Sequence, residues 1–399
     1  MPRPRLHVLA LSATLLLVVV AVAIWRPHPV VCFLTEDCGN CVDDDGDGLV
    51  DREDPDCTLP ADGGHAGIGS PVAGKALTKC QSGIQKAGVG YVLAKLKGMH
   101  KCLNLASSCI QLGKINCESK AAAGCEKVLE KVDVAGDKLE AALGKACETN
   151  GPSLDDLRLS TGLGFGAEEI PCGGPFGSTS DILACIRREH SRRAERMVGI
   201  SVPRATDLLV FAGQNPAVRY PDLAEVAPSN GVFSGVPASE AKALLKCEKT
   251  IQKATVALAS TAAKAIHTCV NAVTACLHTK PTDPACVDPK AERKCVKLVG
   301  KLVHPVTGLR TKLAAQIAKG CNDPSLNVDD IGGDAGLGFN RQNFRCSVLD
   351  FLDTDLASRA QCLGVQLECE GGQIVEREAP RVREFGALIG ILLPGLSFL

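Results

Sequence analysis

The chain has 399 residues, 45% of them hydrophobic, with 44 basic and 45 acidic side chains and a formal net charge of −1. That length suits two or three domains and can bury a real core, and the even charge balance excludes the basic excess expected of a nucleic-acid binder. With 10 Phe, 2 Tyr and 1 Trp there are few platforms for stacking bases or sugars, whereas 21 cysteines point to a compartment that oxidises thiols.

The N-terminus carries Arg3 and Arg5, then an apolar run from Val8 to Trp25 broken by Ser12 and Thr14. A basic start, a hydrophobic stretch and the small-residue triplet Ala21-Val22-Ala23 predict a secretory signal over residues 1–23. The run is 18 residues, the lower edge of a bilayer span, so an uncleaved anchor is the second reading and the chain's one route to a membrane. Pro29-Val30-Val31 before Cys32 lacks the small residue that lipid modification of a cysteine needs.

Residues 32–60 form an acidic module. From Asp43, oxygen donors recur at Asp45, Asp47, the Leu49 carbonyl, Asp51 and Asp54, with Gly48 at the sharp turn. This is the spacing with which alternating carboxylates wrap a hard cation, and like charges so close repel unless a divalent ion neutralises them. Asp rather than Glu at the twelfth position implies modest affinity for Ca2+. No helix-forming stretch precedes Asp43, and the segment resembles a thrombospondin type-3 calcium repeat. Cys38-Gly39-Asn40-Cys41 has redox spacing, and with Cys32 and Cys57 it could supply four thiolates to zinc. In an exported chain two disulfides clamping the calcium loop are preferred, with their pairing left open.

After a linker at residues 61–74 the sequence repeats itself. Lys79–Ile110 aligns with Lys246–Leu277 at a constant offset of 167, matching Cys80/Cys247, Gln85/Gln252, His100/His267, Cys102/Cys269, Asn104/Asn271 and Cys109/Cys276. The match continues through Cys117/Cys286, Cys125/Cys295 and Cys147/Cys321 to Gly162-Leu163-Gly164-Phe165/Gly336-Leu337-Gly338-Phe339. It then takes in Cys172/Cys346, Cys185/Cys362 and Pro203-Arg204/Pro380-Arg381. The predicted architecture is mainly α, with two tandem disulfide-stapled helical-hairpin domains, 75–209 and 239–386. A linker at 210–238 joins them and an apolar tail, 387–399, ends the chain. This duplicated part resembles the uncharacterised cysteine-rich helical repeat proteins exported by environmental bacteria, a resemblance that implies a stapled helical fold and no mechanism.

Cys80, Ile84, Ala87, Tyr91, Ala94, Gly98, Cys102, Leu105 and Cys109 step by three or four, an amphipathic stripe with cysteines on its seam. Cys80 to Cys102 and Cys125 to Cys147 are both 22 residues, so two antiparallel helices would set these cysteines opposite one another. The spacing predicts Cys80–Cys147, Cys102–Cys125, Cys109–Cys117 and Cys172–Cys185. In the second copy it predicts Cys247–Cys321, Cys269–Cys295, Cys276–Cys286 and Cys346–Cys362. Cys295 to Cys321 is four residues longer than its counterpart, and a kink or bulge at Pro305 and Gly308 would absorb the excess. Cys369 has no equivalent and counts as the odd thiol, free or paired between chains.

Other motifs have plain readings. The Gly-Leu-Gly-Phe repeats are expected to be tight turns, and Asp155-Asp156 and Asp329-Asp330 are expected to cap short helices after Ser153 and Ser325. The Arg187, Arg188, Arg192, Arg193 and Arg196 run reads as a solvated basic face. No metalloprotease, serine-hydrolase or phosphate-loop motif occurs. The sequence therefore predicts a non-enzymatic exported scaffold of the cell envelope or extracellular space that binds calcium and a protein or surface partner. An alternative is a carrier of apolar small molecules in cavities of the two copies. An enzyme built on Asp155, Asp156 and His100 ranks third.

Overall fold

The computed structural model describes residues 67–149, 151–283, 285–349, 351 and 355–390; the signal, the calcium-loop residues Asp43–Asp54 and residues 391–399 lie outside the described residues. All regular structure among the described residues is helical. Helix α1 (Pro71–Gln111) starts with Pro71 at its first position and the Ser70 hydroxyl accepting from the Ala73 amide. Proline there costs no hydrogen bond, and the serine satisfies one of the open N–H groups. With no proline inside, α1 runs 41 residues and stops before Gly113, whose φ of 57° reverses the chain. Helix α2 (Glu118–Cys147) returns antiparallel to it.

Three rungs join this hairpin: Cys80–Cys147, Cys102–Cys125 and Cys109–Cys117, with Cα separations of 4.7, 4.4 and 5.8 Å. The chain then passes the Ser153-capped turn and Phe165 to α3 (Thr179–Ser201), which Cys172–Cys185 fastens at its start, and α4 (Ala205–Phe211). Residues 210–238, read as a linker, instead fold back onto α3 and bury Tyr220, Leu223 and Val226.

The second copy repeats the plan with α5 (Ala238–Thr279), α6 (Glu292–Val303), α7 (Leu309–Cys321), α8 (Leu356–Glu378) and α9 (Val382–Leu388). Cys247–Cys321, Cys269–Cys295, Cys276–Cys286 and Cys346–Cys362 close it. The eight pairs are those that the cysteine spacing predicts. Around Pro305 and Gly308 the returning helix does not merely kink. It ends at Val303 and restarts at Leu309, and Gly308 lies so close to the Leu302 and His304 carbonyls that a Cβ would collide with them. Cys369, on α8, is disulfide-bonded.

The copies share a core rather than standing as two separate bodies. One buried cluster joins Leu96, Met99, Leu103 and Met197 from the first copy to Leu244, Ile251, Leu313 and Leu367 from the second. Helix α1 buries two faces: the cysteine seam against α2, and a face with Gln81, Gln85, Val92, Lys95 and Met99. It packs on both α2 and α5. Leu105, placed on the seam by periodicity, is instead 37% exposed at its edge.

Candidate functional site

Aligned positions of the two copies meet across an approximate two-fold axis. Anchored on Cys185/Cys362, Arg193 aligns with Glu370, and these two buried side chains face each other at 3.2 Å. Arg196 lies 3.9 Å from Glu370 and also holds Glu225 at 2.9 Å. Asn104 donates to the Gln252 carbonyl oxygen at 2.5 Å, and the mirror pair has Asn271 donating to Gln85 at 2.6 Å. Arg204 donates to the Gly336 carbonyl and Arg381 to that of Gly162, each at 2.8 Å. Each copy's Pro-Arg therefore clasps the other copy's Gly-Leu-Gly-Phe turn. Gly164 (φ 81°) and Gly338 (φ 77°) carry the left-handed backbone of those turns, against the stems of Arg381 and Arg204.

The seam departs from symmetry at its histidines. His100 Nε2 lies 3.0 Å from the Ser201 hydroxyl, which donates to the Met197 carbonyl at 2.8 Å. Burial drives the His100 pKa down to about 3, so its ring stays neutral. In the second copy Glu378 replaces the serine and contacts both His267 and His190, the latter at 2.7 Å. Burial alone would raise the Glu378 pKa, but the two imidazoles outweigh it and hold the carboxyl below its ordinary value. Gly88 of α1 passes so close to Glu378 and His190 that any side chain there would strike them.

Further charges lie in the same layer. Lys95 reaches Glu195 at 2.5 Å, and burial still pushes the Glu195 pKa up despite the ammonium. Arg377 pairs with Glu168, whose aligned residue Gln342 donates to the Ile200 carbonyl at 2.9 Å. Glu248 accepts from the Ser107 hydroxyl at 2.6 Å, and burial raises its pKa to about 7. Ser107, Ser201, Arg204, Glu248 and Phe339 line a recess with about 10 Å³ of free volume, room for roughly one water.

These positions correct parts of the sequence reading. Arg193 and Arg196 are not a solvated face: both are buried, at 1% and 2% exposure, whereas Arg188 is exposed. Buried ionisable groups are numerous, among them Lys95, His190, Glu195, Glu370 and Glu378. Ser153 and Asp156 form the predicted cap, but Asn327 rather than Ser325 caps the second short helix, with Asp330. Asp156 is held by Ser153 and His100 by Ser201, so the structure gives each its own local partner. The sequence reading missed Lys95, His190, Glu195, Glu370 and Glu378. For Glu370 the signal was present in the alignment, where Arg193 falls on it; Lys95, His190 and Glu195 align with Ala262, Leu367 and Gly372, which give none.

No group of three or more His, Cys, Asp or Glu side chains among the described residues is arranged to hold a metal, and Asp43, Asp45, Asp47, Leu49, Asp51 and Asp54 lie outside them. No described helix is long and apolar enough to cross a membrane. Eight disulfides among the described residues mark an oxidising compartment. Comparison with family models, curated proteins and solved structures finds no match.

Proposed function

We propose that the protein is an exported calcium-binding scaffold of the cell envelope or extracellular space, whose rigid helical surface binds a protein or surface partner. The observation that carries this reading is the interlocked, disulfide-braced seam. Arg204 and Arg381 clasp opposite copies, and Arg193 meets Glu370 at the axis, so these buried polar groups join the two halves. The recess at Arg204 and Glu248, roughly one water in size, lends nothing to the alternative of a carrier of apolar small molecules, which needs cavities near ~300 Å³.

Calcium enters through the acidic loop alone. Asp43, Asp45, Asp47, Asp51 and Asp54 would supply carboxylate oxygens and Leu49 a carbonyl, neutralising a segment that otherwise repels itself. The test is export and calcium uptake together, in a host with an oxidising envelope. The expected result is recovery of the chain outside the cytosol with no alkylatable thiol at the sixteen paired cysteines. It should take up one Ca2+ by calorimetry, lost in Asp43→Asn/Asp47→Asn. A cytosolic chain with reactive thiols, or no calcium uptake, would overturn the reading.

A further inference from the structure

The outward helices of the two copies differ sharply in charge. Residues 118–147 carry five lysines against six carboxylates, while residues 292–319 carry seven lysines and arginines against one carboxylate. Aligned on Cys125 and Cys295, Lys127 and Lys131 persist as Lys297 and Lys301, but Glu126, Glu130 and Asp133 become Val296, Gly300 and Val303. In the first copy the acids are in use: Glu126 and Asp133 hold Arg219 at 3.4 and 2.9 Å. In the second, Lys294, Lys297, Lys301, Lys312 and Lys319 are exposed and form no ion pair among the described residues. At 3.6 residues per turn, Lys294, Lys297 and Lys301 share one edge of α6. Like charges on neighbouring turns repel, so this face favours an anion.

The chain itself carries such an anion. Asp43–Asp56 holds eight carboxylates and one arginine. Cys369 is disulfide-bonded while the other sixteen described cysteines pair with one another, so Cys32, Cys38, Cys41 and Cys57, which bracket that segment, are the candidates for its partner. Next to Cys369, Glu368 contacts Arg310 in the first turn of α7, and the Arg310 stem packs over Gly364. A disulfide from Cys369 to one of those four cysteines would tether the segment to α8, and a short flexible tether sustains an effective concentration on the order of millimolar, at which even weak charge pairing is populated.

We propose that the acidic segment Asp43–Asp56 docks on the basic face of α6 and α7, held by charge and by the Cys369 disulfide. The docking does not depend on the calcium reading but shares its carboxylates, so a bound Ca2+ would compete with the lysines. Lysine acetylation of the full oxidised chain at low salt, followed by mass spectrometry, tests this, with the exposed Lys120 and Lys138 as internal references. Asp43→Asn/Asp44→Asn/Asp45→Asn/Asp47→Asn, or about 0.5 M salt, should raise acetylation of Lys294, Lys297, Lys301 and Lys312 several-fold. Unchanged acetylation overturns the docking. So does protection that appears only with phosphatidylglycerol vesicles, which would make the face a lipid-binding one. A response to the Asn variant without one to added Ca2+ supports the docking and counts against the calcium reading alone.

Discussion

The Arg193–Glu370 contact at the pseudo-two-fold axis offers the sharpest perturbation of the seam. Glu370 is 1% exposed and is approached by two guanidiniums, Arg193 at 3.2 Å and Arg196 at 3.9 Å. Glu370→Leu leaves Arg193 without its partner and takes one of its carboxylates from Arg196, which keeps Glu225 at the edge of the cluster. Breaking a buried pair by removing one member costs about 3–5 kcal/mol, because the surviving charge stays desolvated and uncompensated. Arg193→Met should cost less, since Glu370 retains Arg196. The double variant Arg193→Met/Glu370→Leu should return to within about 1 kcal/mol of the parent, as volume-matched apolar replacements of ion pairs commonly do. Guanidinium unfolding of the oxidised chain reads all three. A loss under about 1 kcal/mol for Glu370→Leu, or a double variant as damaged as the single one, would show that the axis is not held by desolvated charge.

Other predictions concern pH and the staples. Burial raises the Glu248 carboxyl from its ordinary 4.5 to about 7, so folding favours the protonated form and stability falls as pH rises through that window. Glu248→Gln should therefore stabilise by about 3 kcal/mol at pH 8 and by nothing below pH ~4.5, measured by melts across pH. His100 has the opposite sign. Its pKa drops from 6.5 to about 3, so its contribution is complete above pH 6.5 and is lost as pH falls toward 3. His100→Gln should flatten the acid limb by up to about 5 kcal/mol, and an unchanged limb would contradict the burial argument. Removing the Cys80–Cys147 staple, which spans 67 residues, should cost about 4 kcal/mol, against about 2.5 for Cys109–Cys117, which spans 8. Paired serine replacements and denaturant titration would show that order or reverse it.

Much of this architecture is legible in the chain because cysteines report geometry directly. Cys80, Cys102 and Cys109 on one stripe, with Cys117, Cys125 and Cys147 at matching intervals, can be satisfied by one antiparallel hairpin, and the same holds for the second copy. The interlocking of the copies is harder to read. Its contacts come from polar residues such as Gln85, Asn104, Arg193 and Glu370, which periodicity assigns to a surface because hydrophobicity alone cannot say that a charge has a partner. Only the alignment of one copy on the other sets Arg193 against Glu370, and only the fold shows that these aligned positions touch. The broken helix near Gly308 lay between the two extremes: the four extra residues located it, but a kink and a full break fit the same count.

The central claim, two copies of one hairpin braced by oxidised cysteines and locked across an axis, is tested most directly by non-reducing peptide mapping of the exported chain. Eight cross-links are predicted among sixteen cysteines: Cys80–Cys147, Cys102–Cys125, Cys109–Cys117, Cys172–Cys185, Cys247–Cys321, Cys269–Cys295, Cys276–Cys286 and Cys346–Cys362. Scrambled partners, or free thiols at any of these sixteen positions in the folded chain, would contradict it.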